Sequence, residues 1–258
     1  MKPLADLDAR GVRALLFDID DTLTTRGKLT AAAFSALERL HARGLRTVAV
    51  TGRPAGWCDH IARMWPVDAV VGENGAFYFR FAQGRLHKYY REAAEVRARN
   101  RIRLVGIGQQ IVAAVPGCAI AADQPYRETD LAIDYCEDVP PLPLEAAQRI
   151  AALMREARLH ARLSSIHVNG WFGDYDKLAM ARELLRQDLG IEMDRERDSV
   201  VYVGDSPNDA PMFEFFSQSV GVANLHRFAD VLDQPPKYIT RESAGAGFVE
   251  LAQHLLGT

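Results

Sequence analysis

Residues 15–24, with the sequence LLFDIDDTLT, limit what this chain can fold into more than any other stretch. The apolar residues at its start are typical of a buried strand, yet Asp18, Asp20 and Asp21 follow within four positions. Carboxylates this close together repel one another, so a folded chain can keep them there only if positive charge lies beside them. We therefore expect a cationic site at the end of this strand.

Strand and helix signals alternate in the first and last thirds of the chain. After the first strand, apolar residues at helical spacing follow Thr30, a favourable N-cap, and end at Gly44, a common helix stop. A strand at LRTVAVTG, a helix that begins with Pro54 and a strand at DAVVGENGA come next, and the same alternation returns after Asp176. This order predicts an α/β fold with a Rossmann-like parallel sheet.

The middle third has a different pattern. AFYFRFAQGRLHKYY predicts a hairpin that turns near Gly84, residues 91–115 indicate a helix, and later strand signals indicate an antiparallel sheet backed by helices. One of those strands is predicted to run through ARLSSIHVNGWF. We predict two domains: a core formed by residues 1–82 and 173–258, and an inserted α+β cap, or lid, at residues 83–172.

Polar clusters follow three of the predicted core strands. They are Asp18, Asp20 and Asp21; Thr51, Gly52 and Arg53; and Gly204, Asp205, Ser206, Asn208 and Asp209. Ligands of open α/β sheets bind at the carboxyl ends of the strands, and Lys177 begins the helix before the last of these strands. Hard oxygen ligands without nearby His or Cys suit Mg²⁺, which prefers a few carboxylates plus phosphate oxygens. One carboxylate could then attack phosphorus while a second handles the proton of the leaving group.

These clusters resemble the four motifs of the haloacid dehalogenase superfamily of phosphohydrolases. Asp18-Ile19-Asp20-Asp21-Thr22 is similar to the first motif, Thr51 to the second, Lys177 to the third, and GDSPND at 204–209 to the fourth. The motifs occur in the family's order over essentially the whole chain. Many relatives have Gly where this chain has Asp21, a position that can require a left-handed backbone, which Asp tolerates better than most residues.

The resemblance implies a role for each motif residue. Asp18 would be the nucleophile that becomes an aspartyl-phosphate, and Asp20 the general acid and base. Thr51 and Lys177 would bind the phosphoryl oxygens. Mg²⁺ would be held by Asp18, the backbone carbonyl of Asp20, and Asp205. Supporting positions would be Gly52, Arg53, Asn208 and Asp209.

The insert lies between the second and third motifs, as in the α/β-capped (C2B, type IIB or Cof-like) branch of the superfamily. That branch includes sugar-phosphate phosphatases and phosphomannomutases. GENGA and GDSPND are similar to segments of sucrose-phosphate and mannosyl-3-phosphoglycerate phosphatases. Strand alternation selects which side chains of the insert could face the core. Candidate contacts to the substrate are Asn74, Asp130, Asp134, His167 and Asn169. The alternative is that the cap residues belong to an ordinary solvated sheet face.

We therefore expect a Mg²⁺-dependent phosphatase for a small phosphorylated metabolite, most readily a sugar phosphate. Three alternatives stay open from the sequence. A phosphomutase would return the phosphoryl group to its substrate, and a phosphatase of broad specificity would include cofactor phosphates such as pyridoxal phosphate. A non-enzymatic sensor could keep the fold without the reaction.

Composition excludes several other classes of function. The formal net charge of −3 gives no reason to expect a nucleic-acid partner or an anionic membrane surface. No leader is evident, and no apolar run approaches the roughly 20 residues that cross a bilayer. Three cysteines without metal-ligand spacing indicate reduced thiols. We expect a cytoplasmic enzyme that is a monomer or a homodimer.

Overall fold

The larger of two sheets has nine strands and carries the site residues along one edge. The structure, a computed structural model, describes all residues from 1 to 258. The strands follow the order β1-β13-β12-β11-β2-β3-β4-β5-β6 and are parallel from β1 to β4. Their bounds are β1 (Lys2–Pro3), β2 (Ala14–Phe17), β3 (Arg46–Val50), β4 (Ala69–Gly72), β5 (Phe77–Ala82), β6 (Arg85–Tyr90), β11 (Val200–Gly204), β12 (Gln218–Gly221) and β13 (Tyr238–Ile239).

Helices cover both faces of this sheet, so its central strands are apolar on both sides. In β2, Leu15 and Phe17 pack against one layer of helices, and Leu16 packs against the other. The first layer contains α1 (Ala31–Ala42), α2 (Ala55–Met64) and α8 (Ala244–Leu256); the second contains α5 (Lys177–Asp188), α6 (Met193–Glu196) and α7 (Ala210–Phe215). None of the helices of the protein is both long and apolar enough to cross a membrane.

The smaller sheet is antiparallel and has a core of its own. Its order is β7-β8-β10-β9, and one face packs against α3 (Ala94–Ala114) and α4 (Leu144–Glu156). The strands are β7 (Ala119–Ile120), β8 (Asp130–Asp134), β9 (His160–Leu163) and β10 (His167–Trp171). The predicted fold class, a Rossmann-like α/β core with an inserted α+β cap, is confirmed.

Two details of the sequence prediction differ from the structure. ARLSSIHVNGWF forms two strands, because Ser164 turns the chain back by donating from its backbone N and its Oγ to the carbonyl of His167. The hairpin at Gly84 forms as predicted, with φ of 52° and 75° at Gln83 and Gly84. However, both of its strands pair within the larger sheet, so β6, which the predicted boundary at residue 83 assigns to the cap, is continuous with the core.

Candidate active site

The carboxyl ends of β2, β3 and β11 form the floor of the candidate site. These strands are neighbours in the sheet, so Asp18, Thr51 and Asp205 emerge side by side from their ends. The backbone N of Asp18 donates to Val203 O and that of Thr51 to Val71 O, both at 2.9 Å, which continues the strand pairing up to the site. The topology therefore brings together the three polar clusters found in the sequence.

Lys177 is buried between two of these carboxylates. Its Nζ lies 2.8 Å from Asp18 Oδ1 and 2.7 Å from Asp209 Oδ1. Burial opposes the charge of the lysine, but the two carboxylates outweigh it and raise the pKa of Lys177. Asp209 also accepts from Tyr202 Oη and from the backbone N of Asp205, so both of its oxygens are engaged. Lys177 thus supplies fixed positive charge next to Asp18.

A glycine loop places the helix that carries Lys177. Gly75 has φ of 105°, and a Cβ at this position would lie 2.0 Å from the carbonyl oxygen of Asp176. Only glycine allows this approach of the loop to the first turn of α5. Asp176 caps that turn by accepting from Ala179 N at 2.7 Å. The loop and the cap together hold the lysine at the strand ends.

Asp18, Asp205 and Asp209 form a candidate cation site, because their carboxylate oxygens lie within 4.8 Å of one another. Asp205 is fully buried, and its Oδ1 has no hydrogen-bond partner. Burial raises the pKa of Asp18 to about 7, with Lys177 opposing the shift, and burial with the nearby Asp18 raises that of Asp205. The lysine alone does not balance this charge. A free, buried carboxylate oxygen beside two other carboxylates fits a hard divalent cation such as Mg²⁺.

The other members of the fourth motif hold the loop that carries Asp205. Ser206 Oγ donates to Asn208 Oδ1 at 2.9 Å, and the backbone N of Ser206 donates to Asp209 Oδ2. A Cβ at Gly204 would lie 2.3 Å from Asp209 Oδ2, so the strand can end here only as glycine. Asn208 and Asp209 therefore shape the loop that presents the Asp205 carboxylate.

Asp20, unlike Asp18, is paired with Arg53. The guanidinium donates from Nε and Nη2 to the two oxygens of Asp20, each at 2.8 Å. The same guanidinium reaches the cap, where Nη1 lies 3.3 Å from Glu137 Oε2. His167 Nε2 lies 2.9 Å from that oxygen. Asp20, Arg53, Glu137 and His167 therefore form one chain of contacts from the core to the cap.

A second arginine, Arg127, joins the cap to the core behind this chain. It pairs with Asp123 and Asp130 and donates from Nη1 to the carbonyl of Gly52 at 2.8 Å. Asn169 donates from Nδ2 to Asp130 at 2.9 Å. Sequence reasoning missed Arg127, Asp123 and Glu137, although Asp123 and Arg127 have the spacing of a helical ion pair.

Glu73 makes a further join between core and cap. Its carboxylate accepts from the backbone N of Ala55 and Glu128, each at 2.9 Å, and from that of Thr129 at 2.6 Å. Burial and the nearby Asp130 raise the pKa of Glu73 to about 7, while Arg127 and these hydrogen bonds lower it. A buried acid from the core thus binds the segment that leads into β8.

The five predicted substrate contacts are all buried, which rules out a solvated sheet face for the cap residues among them. They are Asn74, Asp130, Asp134, His167 and Asn169. Asp134 accepts from the backbone N of residues 136–138, and Asp130 is engaged by Arg127 and Asn169. Asn74 differs, because neither atom of its amide has a partner. That amide lies beside Gly52, since its Nδ2 would be 3.2 Å from a Cβ added there.

Asn224 and Arg227 complete the side of the site next to β12. Asn224 Nδ2 donates to Asp205 Oδ2 and to Asp21 O, each at 3.0 Å, and Arg227 Nη2 lies 3.1 Å from Asp205 Oδ2 and 3.2 Å from Asp21 Oδ2. Asp21 has φ of 53°, the left-handed backbone expected at this position. Sequence reasoning missed both residues, although Asn224 follows β12 as the other clusters follow their strands.

Comparison with known proteins agrees with this geometry. Residues 15–99 match a family model described as haloacid dehalogenase-like hydrolase. The Thermoplasma acidophilum 0175 structure is 16% identical with a TM-score of 0.72, and covers 96% of this chain and 99% of its own. A putative HAD/COF-like hydrolase from Plasmodium vivax is 18% identical with a TM-score of 0.70, and the match covers 97% of this chain and 98% of the hydrolase.

The sucrose-phosphatase of Synechocystis, solved with sucrose and phosphate, is 18% identical with a TM-score of 0.63, and covers 95% of this chain and 98% of its own. At these identities the structures establish the fold. No curated protein matched the chain. The family match confirms the predicted resemblance over residues 15–99, which contain the first two motifs, and the solved structures share the fold over nearly the whole chain.

Proposed function

We propose that this chain, whose residues 15–99 match the haloacid dehalogenase-like hydrolases, is a Mg²⁺-dependent phosphatase for a small phosphorylated metabolite, most readily a sugar phosphate. One observation carries the proposal: Asp18 is held 2.8 Å from Lys177 Nζ, beside the free oxygen of Asp205. A carboxylate placed next to fixed and bound positive charge can approach a phosphoryl group that would otherwise repel it.

The reaction would proceed in two displacements at phosphorus. In the first, an oxygen of Asp18 forms a bond to phosphorus as the bond to the leaving oxygen breaks, and Asp20 supplies the proton that the leaving oxygen takes. In the second, water attacks the aspartyl-phosphate, Asp20 accepts a proton from it, and Asp18 is released with inorganic phosphate. Arg53 donates to both oxygens of Asp20 and would hold this carboxyl group in place for the two proton transfers.

The remaining site residues would bind the phosphoryl oxygens and the cation. Lys177 would neutralise one phosphoryl oxygen, and Thr51, next to Gly52 at the end of β3, would bind another. Asp18 and Asp205 would hold Mg²⁺ together with the backbone carbonyl of Asp20. When bound, the cation would stabilise the charge that develops on the phosphoryl oxygens.

The smaller sheet, with α3 and α4, would be the lid. Its polar face, which includes His167 and Asn169, lies over the strand ends and would exclude water from the site. The sucrose-phosphatase of similar fold supports a sugar phosphate as the substrate class, because its structure was solved with sucrose and phosphate. We place the lid at residues 91–172, since β6 belongs to the larger sheet.

Release of inorganic phosphate tests this proposal. Purified protein would be offered phosphorylated sugars, glycosides and cofactor phosphates, with Mg²⁺ or with excess chelator. We expect release that requires Mg²⁺ and falls by about 10⁴-fold or more in Asp18→Asn, because the nucleophile is gone. Asp6→Asn, which changes an exposed aspartate, should keep full activity. An isomerised substrate without free phosphate would establish a phosphomutase instead, and no reaction across the panel would overturn the proposal.

A further inference from the structure

Every cation around the candidate site is already paired with carboxylates. The pairs are Lys177 with Asp18 and Asp209, Arg53 with Asp20, Asp123 and Glu137, Arg127 with Asp123 and Asp130, and Arg227 with Asp21 and Asp205. Lys177, Arg53 and Arg127 are at most 4% exposed, whereas Arg227 is 42% exposed. The site therefore offers a substrate no buried cation that is free.

The charges of this set do not balance. Eight carboxylates face four cations, so the set has an excess of four negative charges when all the carboxylates are ionised, the form in which they would hold a cation. A bound Mg²⁺ adds two positive charges, and the phosphoryl dianion of a substrate cancels them. A leaving group therefore enters a region whose remaining charge is negative, and like charges in a partly desolvated site repel strongly.

Glu137 concentrates this effect at the leaving-group side. It lies on the cap loop after β8 and contacts Arg53 on the face that Asp20 leaves free. Against the effect of burial, His167 and Arg53 lower the pKa of Glu137 to about 2, so it is ionised at neutral pH. An anionic substituent could bind Arg53 only by displacing one of its three carboxylates, Asp20, Asp123 or Glu137.

Neutral polar groups, in contrast, find partners in the same region. The amide of Asn74 is 2% exposed, and neither its Nδ2 nor its Oδ1 has a hydrogen-bond partner. It lies beside Gly52, directly after Thr51. An amide offers both a donor and an acceptor, which suits a hydroxyl group, and a buried amide left unpaired is costly.

We infer that the substrate is a phosphomonoester whose leaving group is hydroxylated and carries no negative charge. Glu137 would be the residue that rejects leaving groups with a carboxylate or a second phosphate. This inference rests on the proposed function and narrows its substrate class. It disfavours phosphoglycerate-type substrates and the bisphosphates that a phosphomutase requires.

Matched substrate pairs test the inference. Phosphate release would be measured as kcat/KM with Mg²⁺ for glucose 6-phosphate against 6-phosphogluconate, and for glycerol 3-phosphate against 3-phosphoglycerate. We expect the neutral leaving group to be favoured by about tenfold or more in each pair. Equal or faster hydrolysis of the anionic members would overturn the inference and leave the phosphatase intact. No release from any member would overturn the proposed function itself.

Glu137→Gln separates the role of this residue from that of the whole site. The substitution keeps the shape of the side chain and removes one of the three carboxylates that pair with Arg53. The preference for the neutral leaving group should therefore fall by about tenfold, chiefly through a lower KM for the anionic members. Asp138→Asn is the matched control, because it makes the same charge change on the same loop without an ion pair. A preference unchanged in Glu137→Gln, or narrowed equally in Asp138→Asn, would contradict the role of Glu137.

Discussion

Folding and chemistry make opposite demands on Asp205. Its carboxylate is fully buried, and one oxygen has no partner, an arrangement that costs folding free energy when the group is ionised. Asn224 and Arg227 engage only the other oxygen, and the carboxylate lies near those of Asp18 and Asp209. A group that lowers stability in this way is expected where a cation binds, because the cation offsets the cost.

Asp205→Asn should separate the effect of Asp205 on stability from its effect on cation binding. Burial raises the pKa of Asp205, so the parent protein loses free energy of unfolding as the pH rises through that pKa. Asn does not ionise, so the variant has no such loss. In Mg²⁺-free buffer at pH 7, we expect the variant to be more stable than the parent by about 1–3 kcal/mol. Urea unfolding followed by circular dichroism measures the difference.

Added Mg²⁺ should reverse the order. The cation binds only the native parent protein and should raise its unfolding midpoint, while Asp205→Asn should respond little. Asp194→Asn, which alters an exposed side chain, should behave as the parent does. A parent protein whose unfolding midpoint is independent of Mg²⁺ would contradict a cation site at Asp205.

The loop between β4 and β5 positions helix α5, which carries Lys177. Residues 73, 74 and 75 all have positive φ, at 42°, 55° and 105°, and the last of them lets the loop contact the backbone at the start of α5. The same loop places Glu73 against the cap and Asn74 beside Gly52. A short, strained turn thus fixes Lys177 in the core.

Gly75→Ala should therefore disturb both stability and catalysis. A methyl group 2.0 Å from a backbone oxygen cannot be accommodated unless the loop or α5 moves, so we expect a loss of about 2–4 kcal/mol in the free energy of unfolding. Phosphate release should fall by about tenfold or more, because Lys177 moves with its helix. Urea unfolding and kcat report the two effects.

Gly84→Ala is the matched control at the hairpin turn. Gly84 also has positive φ, at 75°, but an added Cβ would have no atom within 4 Å, so only the backbone preference is lost, at about 1 kcal/mol. Its kcat should be unchanged. Equal effects of the two substitutions on kcat would show that the approach of Gly75 to α5 does not position the lysine.

The molecule as a whole has apolar cores on both sheets, and the contacts between core and cap are mostly polar. One apolar cluster belongs to the smaller sheet and its helices, and the other two lie on the faces of the larger sheet, one of them extended by Trp171 from β10. Between the domains, Arg127 binds Gly52, Arg53 binds Glu137, and Glu73 binds the backbone of Thr129. A mostly polar interface can separate with little exposure of apolar surface, which is what a lid requires.

The pH dependence of the free energy of unfolding should reveal whether Glu73, the buried core acid that binds the cap, titrates near neutral pH. Its pKa is raised from 4.5 to about 7, so its contribution to stability is present below pH 4.5 and is lost as the pH rises through 7. Relative to Glu73→Gln, the parent should lose up to about 3 kcal/mol between pH 5 and pH 8. Urea unfolding across that range, with saturating Mg²⁺ throughout, measures the difference.

Glu38→Gln serves as the control for this measurement, because Glu38 is exposed on α1. Its stability should follow the parent at every pH. If the curves of the parent and Glu73→Gln run parallel from pH 5 to pH 8, then Glu73 does not titrate in this range, and the buried join is ionised throughout.

Local structure and the identity of the central site residues could be predicted from the amino-acid sequence alone. Thr30 caps α1 and Gly84 turns the hairpin, because caps and turns depend on a few neighbouring residues. The proximity of Asp18, Thr51 and Asp205 could also be predicted, because parallel strands end at the same edge of a sheet. The α/β fold and the four-motif resemblance followed from the same short-range signals.

Contacts between side chains far apart in the sequence could be seen only in the tertiary structure. Glu137 is 84 residues from Arg53, and Arg227 is 206 residues from Asp21, and neither pairing has a local signal. The sheet to which β6 belongs and the break between β9 and β10 depended likewise on which strands lay next to them. Ion pairs across domains form only once both cores have folded and docked, so periodicity along the chain cannot reveal them. The charge balance from which we infer the substrate depends on these pairs, so it too required the tertiary structure.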